Sequence, residues 1–109
     1  MAWKVKFFQS ARGDYPVKEF IEKQNITTIA KINLSIGLLV NYGPFLKPPD
    51  IKKIQTGLYE LRIQGKSTIR IFYAKIGGDY YLIHAFVKKS QKTPPKELKV
   101  ALDRMKKII

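Results

Sequence analysis

The chain contains no cysteine and only one histidine, so it lacks the residues that form disulfide bonds and most structural metal sites. Without disulfides or thiolate ligands, the simplest expectation is a cytoplasmic protein with no metal and no cofactor. The sequence also has no glycine-rich phosphate loop before a helix and no Gly-x-Ser-x-Gly nucleophile elbow. Its eight acidic residues are scattered, which gives little support to a catalytic pair of carboxylates.

Long hydrophobic runs are absent as well. The longest apolar segment, residues 29–40, is interrupted by Lys31, Asn33 and Ser35, and it is too short and too polar to span a bilayer. The first residues contain no extended apolar run, so we expect no signal peptide there. A length of 109 residues with 45% hydrophobic content predicts one globular domain over residues 1–109 and no membrane partner.

Positive charge is abundant. The formal net charge is +13, from 21 basic and 8 acidic residues. Such a charge suits nucleic acid, an anionic membrane surface or an acidic protein as the partner. Seventeen of the basic residues are lysines, so a lysine-rich surface on a protein of unrelated function is the alternative interpretation.

The hydrophobic spacing predicts an α+β fold, a small twisted sheet, mainly antiparallel, packed against helices in the order β-α-α-β-β-β-α. Alternation over residues 3–9 predicts a half-buried first strand, and Pro16 suits the first turn of a helix that reaches about residue 23. A second helix is predicted to begin at a cap, Thr27 or Thr28, and to stop at Gly43.

The second half of the chain is predicted to contain the rest of the sheet and a last helix. Residues 43–50 contain three prolines and are expected to be irregular. Three strands are predicted within residues 54–87, with turns at 64–67 and near Gly77–Gly78. The last helix is predicted to begin with Thr93 as its cap and Pro94 at its first position.

The register of the predicted sheet brings basic side chains together. Arg62 opposite Arg70 keeps apolar residues on one face, whereas a shift by one residue would expose them. Ile71 opposite Ile83 would then place Arg70 opposite His84. The predicted result is a basic row on one face, with the other face packed on helices through Leu61, Ile63, Ile69, Ile71, Ile83 and Ala85.

A basic row of this kind suits metal-independent cleavage of RNA, in which the 2′-hydroxyl attacks the adjacent phosphate. Arginine can bind two phosphate oxygens and stabilise the phosphorane, and histidine can serve as acid or base. For the arginines the alternative is that both side chains extend into solvent without a role. For His84 the alternative is a packed, hydrogen-bonded strand residue. Lysines that are candidates for nucleic-acid binding are Lys52, Lys53, Lys88 and Lys92.

Several segments together resemble the HigB-like branch of the RelE/ParE superfamily, phage-related toxins of type II toxin–antitoxin modules. These are Gly-Leu-Tyr-Glu-Leu-Arg at 57–62, Arg-Ile-Phe-Tyr at 70–73, His-Ala-Phe-Val-Lys-Lys at 84–89, and Thr93-Pro94 followed by Glu97. Tyr-Pro-Val at 15–17 and Tyr-Gly at 42–43 extend the resemblance over nearly the whole chain. The combination is specific, whereas no single segment is.

The resemblance implies a compact microbial RNase-like fold and ribosome-dependent cleavage of mRNA. It implies a cognate helix-turn-helix antitoxin as partner, together with the ribosome and mRNA. By position it assigns Arg62 and Arg70 to the scissile phosphate and Lys89 to the basic end of the next strand, with His84 as the histidine of this branch. Together these four residues are the predicted catalytic set.

One residue departs from the family pattern. Glu60 stands where some relatives have further positive charge, so it is expected either to pair with Arg62 or Arg70 or to weaken phosphate binding. Two other functions stay open: a ParE-like inhibitor of DNA gyrase, and a non-catalytic nucleic-acid-binding module of phage origin.

Overall fold

The computed structural model describes residues 2–63, 65, 68–89 and 91–108. These residues form five strands and three α-helices in the order β-α-α-β-β-β-β-α, so the predicted α+β class is confirmed with one strand more than expected. A short 3-10 helix, Gly43–Phe45, follows the second α-helix. The elements are β1 (Val5–Phe7), α1 (Pro16–Glu22), α2 (Ile26–Tyr42), β2 (Ile51–Gln55), β3 (Leu58–Ile63), β4 (Ile69–Ile76), β5 (Asp79–Val87) and α3 (Pro95–Ile108).

The predicted cap of α2 was wrong. Asn25 precedes the helix, and its side-chain oxygen accepts a hydrogen bond from the backbone N–H of Thr28 at 2.8 Å. Asn25 thereby satisfies one of the first N–H groups of α2, the role predicted for Thr27 or Thr28. The predicted stop at Gly43 is confirmed, because Gly43 has φ +47° and its N–H donates to the carbonyl of Leu39.

The sheet has the strand order β1-β5-β4-β3-β2, with β1 parallel to β5 and the other pairs antiparallel. One face packs against α1 and α2 through residues that include Val17, Ile32 and Leu61. The opposite face packs against α3 through Leu58, Phe72 and Ala101 among others. Apolar side chains therefore fill both sides of the sheet, and polar groups on the α3 side lie in a partly apolar setting.

The register of β3 against β4 is the predicted one, with Arg62 opposite Arg70 and Ile63 opposite Ile69. The register of β4 against β5 was wrong. A β-bulge at Ile83 leaves His84 opposite Phe72, and Arg70 lies opposite Phe86 instead. Ile83 consequently packs on the α3 side rather than with Leu61. Because β5 lies between two strands and is buried on both faces, its apolar pattern does not distinguish these registers.

The additional strand, β2, is an edge strand whose last residues were predicted to belong to the same strand as β3. It follows the proline-rich segment and pairs with β3, with a bulge between Lys53 and Gln55. The turn at Gly77–Gly78 is confirmed. The predicted turn at 64–67 lies outside the described residues except for Gly65, so this prediction is not tested. No helix in the described part of the chain is long and apolar enough to cross a membrane.

Candidate nucleic-acid interface

An open cleft of about 520 Å³ lies at the end of β3, β4 and β5 and is rich in cations. The cross-strand pair Arg62–Arg70 forms one side of it. The backbone N–H of Lys88 donates to the carbonyl of Thr68 at 2.7 Å, which continues the ladder beyond β5 and keeps Lys88 beside Arg70. We call this site the cationic cleft; its lining residues are Arg62, Thr68, Arg70, Lys88, Lys89 and Gln91.

The arginine pair of the cationic cleft rests on a buried carboxylate. Glu60 lies two residues before Arg62 on β3, on the same face, and its side chain is completely buried. Its Oε1 is 3.2 Å from Nε of Arg70 and 3.5 Å from Nε of Arg62. Within the described residues these three atoms form no hydrogen bond of good geometry, so the contacts are ion pairs rather than aligned hydrogen bonds. The expected pairing of Glu60 is thus observed with both arginines at once.

The second oxygen of Glu60 contacts the segment that leads into α3. The hydroxyl of Thr93 donates to Oε2 at 3.2 Å. The prediction that Thr93 caps a helix with Pro94 at its first position was wrong, because α3 begins at Pro95 and the carbonyl of Pro94 accepts from the N–H of Glu97. Thr93 therefore links the segment after Lys88 and Lys89 to the arginine pair.

Burial shapes the electrostatics of the cleft. The side chain of Arg70 is 14% exposed and that of Arg62 is 28% exposed. Burial lowers the pKa of the Arg70 guanidinium; the charge of Glu60 opposes that shift and the charge of Arg62 adds to it. One buried negative charge beneath two arginines and two lysines leaves the cleft positive, which suits a phosphodiester anion.

The remaining lysine candidates are placed differently. Lys52 is opposite Glu60 on β2 and so shares the face of the arginine pair, next to it at the sheet edge. Lys53 is opposite Tyr59 and is on the other face, so the structure does not bring it to the cationic cleft. Lys92 is exposed and follows Gln91, a lining residue of the cleft.

His84 is on the same face as the arginines but is held by α3. Its Nε2 is 2.8 Å from Oε1 of Glu97, and its Nδ1 is 3.2 Å from Nη1 of Arg104. Since a guanidinium N–H can only donate, Nδ1 accepts, and Nε2 carries the proton that it donates to Glu97. Burial lowers the pKa of His84, and Arg104 adds to the shift while the hydrogen bond to Glu97 opposes it. The imidazole is therefore neutral near pH 7.

His84 also lines a separate cleft. That cleft, of about 310 Å³, lies between α1 and α3 and has Glu19, Lys23 and Arg104 among its lining residues. The ring of Phe86 stacks on His84 at 5.6 Å between centroids, and Phe86 is the cross-strand neighbour of Arg70. The structure thus gathers Arg62, Arg70, Lys88 and Lys89 around one cleft and places His84 outside its lining.

Arg104 is a further residue near His84 that the sequence pattern did not indicate. Its Nη1 donates to the carbonyl of Ile83 in the β5 bulge at 2.8 Å, and its guanidinium is over the ring of Phe8. A signal was available, since Arg104 is one of only four arginines among 21 basic residues and is adjacent to the apolar stripe of α3. Arginine at such a place commonly makes specific contacts that lysine cannot.

No group of three or more possible metal-ligating side chains occurs among residues 2–63, 65, 68–89 and 91–108. The chemistry that the cationic cleft itself can provide is binding of an anion and stabilisation of added negative charge on it.

Comparison with known proteins identifies the family. The profile of the family described as phage derived protein Gp49-like (DUF891) matches residues 19–106, a segment that contains every lining residue of the cationic cleft. The chain belongs to this family, which is a family of RelE/HigB-type toxins in toxin–antitoxin systems. No curated protein matches the chain significantly.

Proposed function

We propose that the protein is the toxin of a type II toxin–antitoxin module and cleaves mRNA on the ribosome without a metal ion. The observation that carries this proposal is the convergence of Arg62, Arg70, Lys88 and Lys89 on one open cleft. Membership in the Gp49-like family supports the toxin assignment. Assignment to the HigB-like branch, an antitoxin of the helix-turn-helix type and a cytoplasmic location belong to the same proposal.

In the proposed reaction, the 2′-hydroxyl oxygen of the RNA attacks the adjacent phosphorus, and the bond to the 5′-oxygen breaks. The products are a 2′,3′-cyclic phosphate and a 5′-hydroxyl end. Arg62 and Arg70 bind the non-bridging oxygens and stabilise the charge of the phosphorane, because guanidinium groups match that geometry. Lys89 adds charge at the same phosphate, while Lys88, Lys92 and Lys52 are the proposed contacts to neighbouring phosphates. Lys53 is left out of this set because it lies on the other face of the sheet.

The proposed role of His84 as acid or base requires a change in its contacts. Both ring nitrogens are occupied by Glu97 and Arg104, so His84 must release at least one of them to exchange a proton with RNA. A neutral imidazole near pH 7 suits a general base once it is released. His84 thus stays a predicted catalytic residue rather than a member of the cleft.

The test is controlled expression in a bacterial host followed by mapping of mRNA 5′ ends. We expect growth arrest and cuts within translated codons, dependent on translation. Arg62→Ala and Arg70→Ala should each abolish both effects, because each removes half of the phosphate-binding pair. The matched control is Lys99→Ala on the exposed side of α3, which removes one cation that does not line the cleft and should leave the arrest unchanged.

Arrest with intact mRNA would contradict the nuclease proposal and favour a protein target such as DNA gyrase. Because Arg70 is largely buried, Arg70→Lys is a second variant that keeps the charge but loses the planar fork. If Arg62→Ala, Arg70→Ala and Arg70→Lys all retain full toxicity while folded, the phosphate-binding role of the arginine pair is wrong.

One observation favours a second candidate function, a non-catalytic nucleic-acid-binding module. The single histidine of the chain is hydrogen-bonded on both nitrogens and lines a different cleft from the cations. In that case the protein would bind RNA in a salt-dependent manner, produce no cut ends and cause no growth arrest on expression.

A further inference from the structure

Glu60 is an unusual residue for a site that binds an anion. Among the described residues it is the one charged side chain that is completely buried, and it lies directly beneath the arginine pair of the cationic cleft. Burying a carboxylate is unfavourable unless charged or hydrogen-bonding partners compensate. Its negative charge also opposes the binding of a phosphate. Because both its burial and its effect on phosphate binding are unfavourable, we expect Glu60 to have a function at this position.

We propose that Glu60 is a positioning residue: together with Thr93 it fixes the two guanidinium groups so that their outer nitrogens face the phosphate. The proposal rests on the function proposed above and deepens it. Glu60 touches no RNA in this arrangement and acts through Arg62 and Arg70.

The geometry of the pair supplies the first argument. Arg62 and Arg70 are directly opposed across β3 and β4, where like charges repel each other. Oε1 of Glu60 is between 3.2 and 3.5 Å from the Nε atom of both side chains. A single carboxylate oxygen therefore offsets the repulsion and restrains both guanidinium groups at their inner nitrogen. The outer nitrogens are then the ones available to a ligand, apart from Nη1 of Arg70, which donates to the carbonyl of Ile69.

Thr93 supplies the second argument. Its hydroxyl donates to the other oxygen of Glu60, so the carboxylate itself cannot rotate freely. The same contact joins β3 to the segment between β5 and α3, which carries Lys88 and Lys89. Glu60 thus connects the two sources of cations in the cleft, the strand pair and the segment after β5.

A different interpretation makes Glu60 an electrostatic brake, which only lowers the affinity for RNA. The two interpretations predict opposite results for Glu60→Gln. If Glu60 is a brake, the variant binds RNA more tightly and cleaves faster. If Glu60 positions the arginines, the variant binds RNA equally or more tightly because a negative charge is gone, yet it cleaves more slowly.

The experiment measures binding and cleavage separately for Glu60→Gln. Binding uses a short single-stranded RNA with methylated 2′-hydroxyls, which cannot be cut, and cleavage uses mRNA on programmed ribosomes under single-turnover conditions. We expect the cleavage rate to fall roughly tenfold or more, since misplacing a positioned group is costly, while RNA affinity does not fall. Asp103→Asn on the exposed side of α3 is the charge-matched control and should leave the cleavage rate unchanged.

A spectroscopic measurement tests positioning without any activity. The chain has four arginines, so the Nε–H groups give four assignable NMR signals. We expect slow solvent exchange for the buried Nε–H groups of Arg62 and Arg70, and exchange several-fold faster in Glu60→Gln. The signals of Arg12 and Arg104 should not change, because neither residue contacts Glu60.

Thr93→Val is the second variant if Glu60→Gln does not fold; it removes the hydroxyl at nearly constant volume and should show the same changes in smaller degree. Unchanged arginine exchange in the folded variant, or cleavage as fast as in the wild type, would overturn the positioning role. If the wild-type protein cuts no RNA, the proposed function fails, but the exchange measurement still decides whether Glu60 positions the arginines.

Discussion

At the residue scale, the environment of His84 has a consequence for stability. Its pKa in the folded protein is lowered from 6.5, mainly because the ring is buried, whereas the unfolded chain keeps the ordinary value. As the pH falls below about 6.5, the unfolded chain therefore takes up the proton first. Proton uptake by the unfolded state favours unfolding, so the contribution of His84 to stability is complete above this pH and declines below it.

We predict that the free energy of unfolding decreases as the pH is lowered from about 7.5 to about 5.5, and that His84→Gln largely removes this decrease. The chain contains no other histidine, so no second imidazole can contribute to this decrease. Urea denaturation at a series of pH values measures the effect. An equally steep decline in the variant would show that another group is responsible.

The same variant separates the two roles of His84. A folded His84→Gln protein that still cuts mRNA would leave His84 with a structural role, in which it holds α3 on the sheet through Glu97 and Arg104. A folded variant that no longer cuts would support the predicted catalytic role.

Sequence reasoning found the cations of the site but not what organises them. The alternation of apolar and polar residues around Arg62 and Arg70 predicts the register of β3 against β4, because a shift by one residue would expose apolar side chains. Glu60 was recognised as a departure from the family pattern, but its complete burial depends on α3 covering the sheet. The contact with Thr93 could not be foreseen, because the sequence predicts Thr93 as a helix cap and 33 residues separate it from Glu60.

At the scale of the elements, α2 provides a matched pair of glycines. Gly43 ends the helix in a conformation with positive φ, and a Cβ atom there would lie 2.5 Å from the ring of Trp3. Gly37 is within the helix and has open space where a Cβ atom would be. A methyl group would therefore clash with Trp3 at position 43 but meet no neighbouring atom at position 37.

We predict that Gly43→Ala destabilises the protein by about 2 kcal/mol or more, because strain and overpacking add. Gly37→Ala should stabilise it by about 0.5 to 1 kcal/mol through helix propensity. Urea denaturation of both variants beside the wild type measures the difference. A stable Gly43→Ala protein would mean that Trp3 moves aside readily.

The elements also show where pattern reasoning fails. The cap of α2 lies two positions before the predicted threonines, since Asn25 caps the helix instead of Thr27 or Thr28. β2 was not predicted as a separate strand, because its first residues follow a proline-rich segment and its last two, Ile54 and Gln55, fall within the range predicted for the next strand. In β5 the apolar residues of both faces conceal the bulge, and only the pairing with β4 locates it.

At the scale of the whole molecule, a net charge of +13 raises the question of whether RNA binding depends on the cleft or on charge in general. The two cases differ in their salt dependence. For single-stranded RNA, each phosphate contact contributes about −0.7 to the slope of log affinity against log salt concentration.

We predict that Lys88→Gln with Lys89→Gln reduces the magnitude of this slope by about 1.4, the value for two phosphate contacts. Lys96→Gln with Lys99→Gln removes the same charge from the exposed side of α3 and should alter the slope far less. Fluorescence anisotropy with a short RNA over a range of salt concentrations measures both. Equal changes in the two double variants would favour a general charge effect over a defined site.

The parallel pairing of β1 with β5 determines when during synthesis the fold can be completed. Val5 pairs with Tyr80, so the first strand of the chain waits for a partner about 75 residues later. The cationic cleft needs residues up to Gln91, and the carboxylate beneath it needs Thr93. In a nascent chain the arginines therefore lie on an unfinished sheet until Gln91 and Thr93 have left the exit tunnel. For a protein whose proposed substrate is translated mRNA, this order delays the assembled site until the residues up to Thr93 are free to fold.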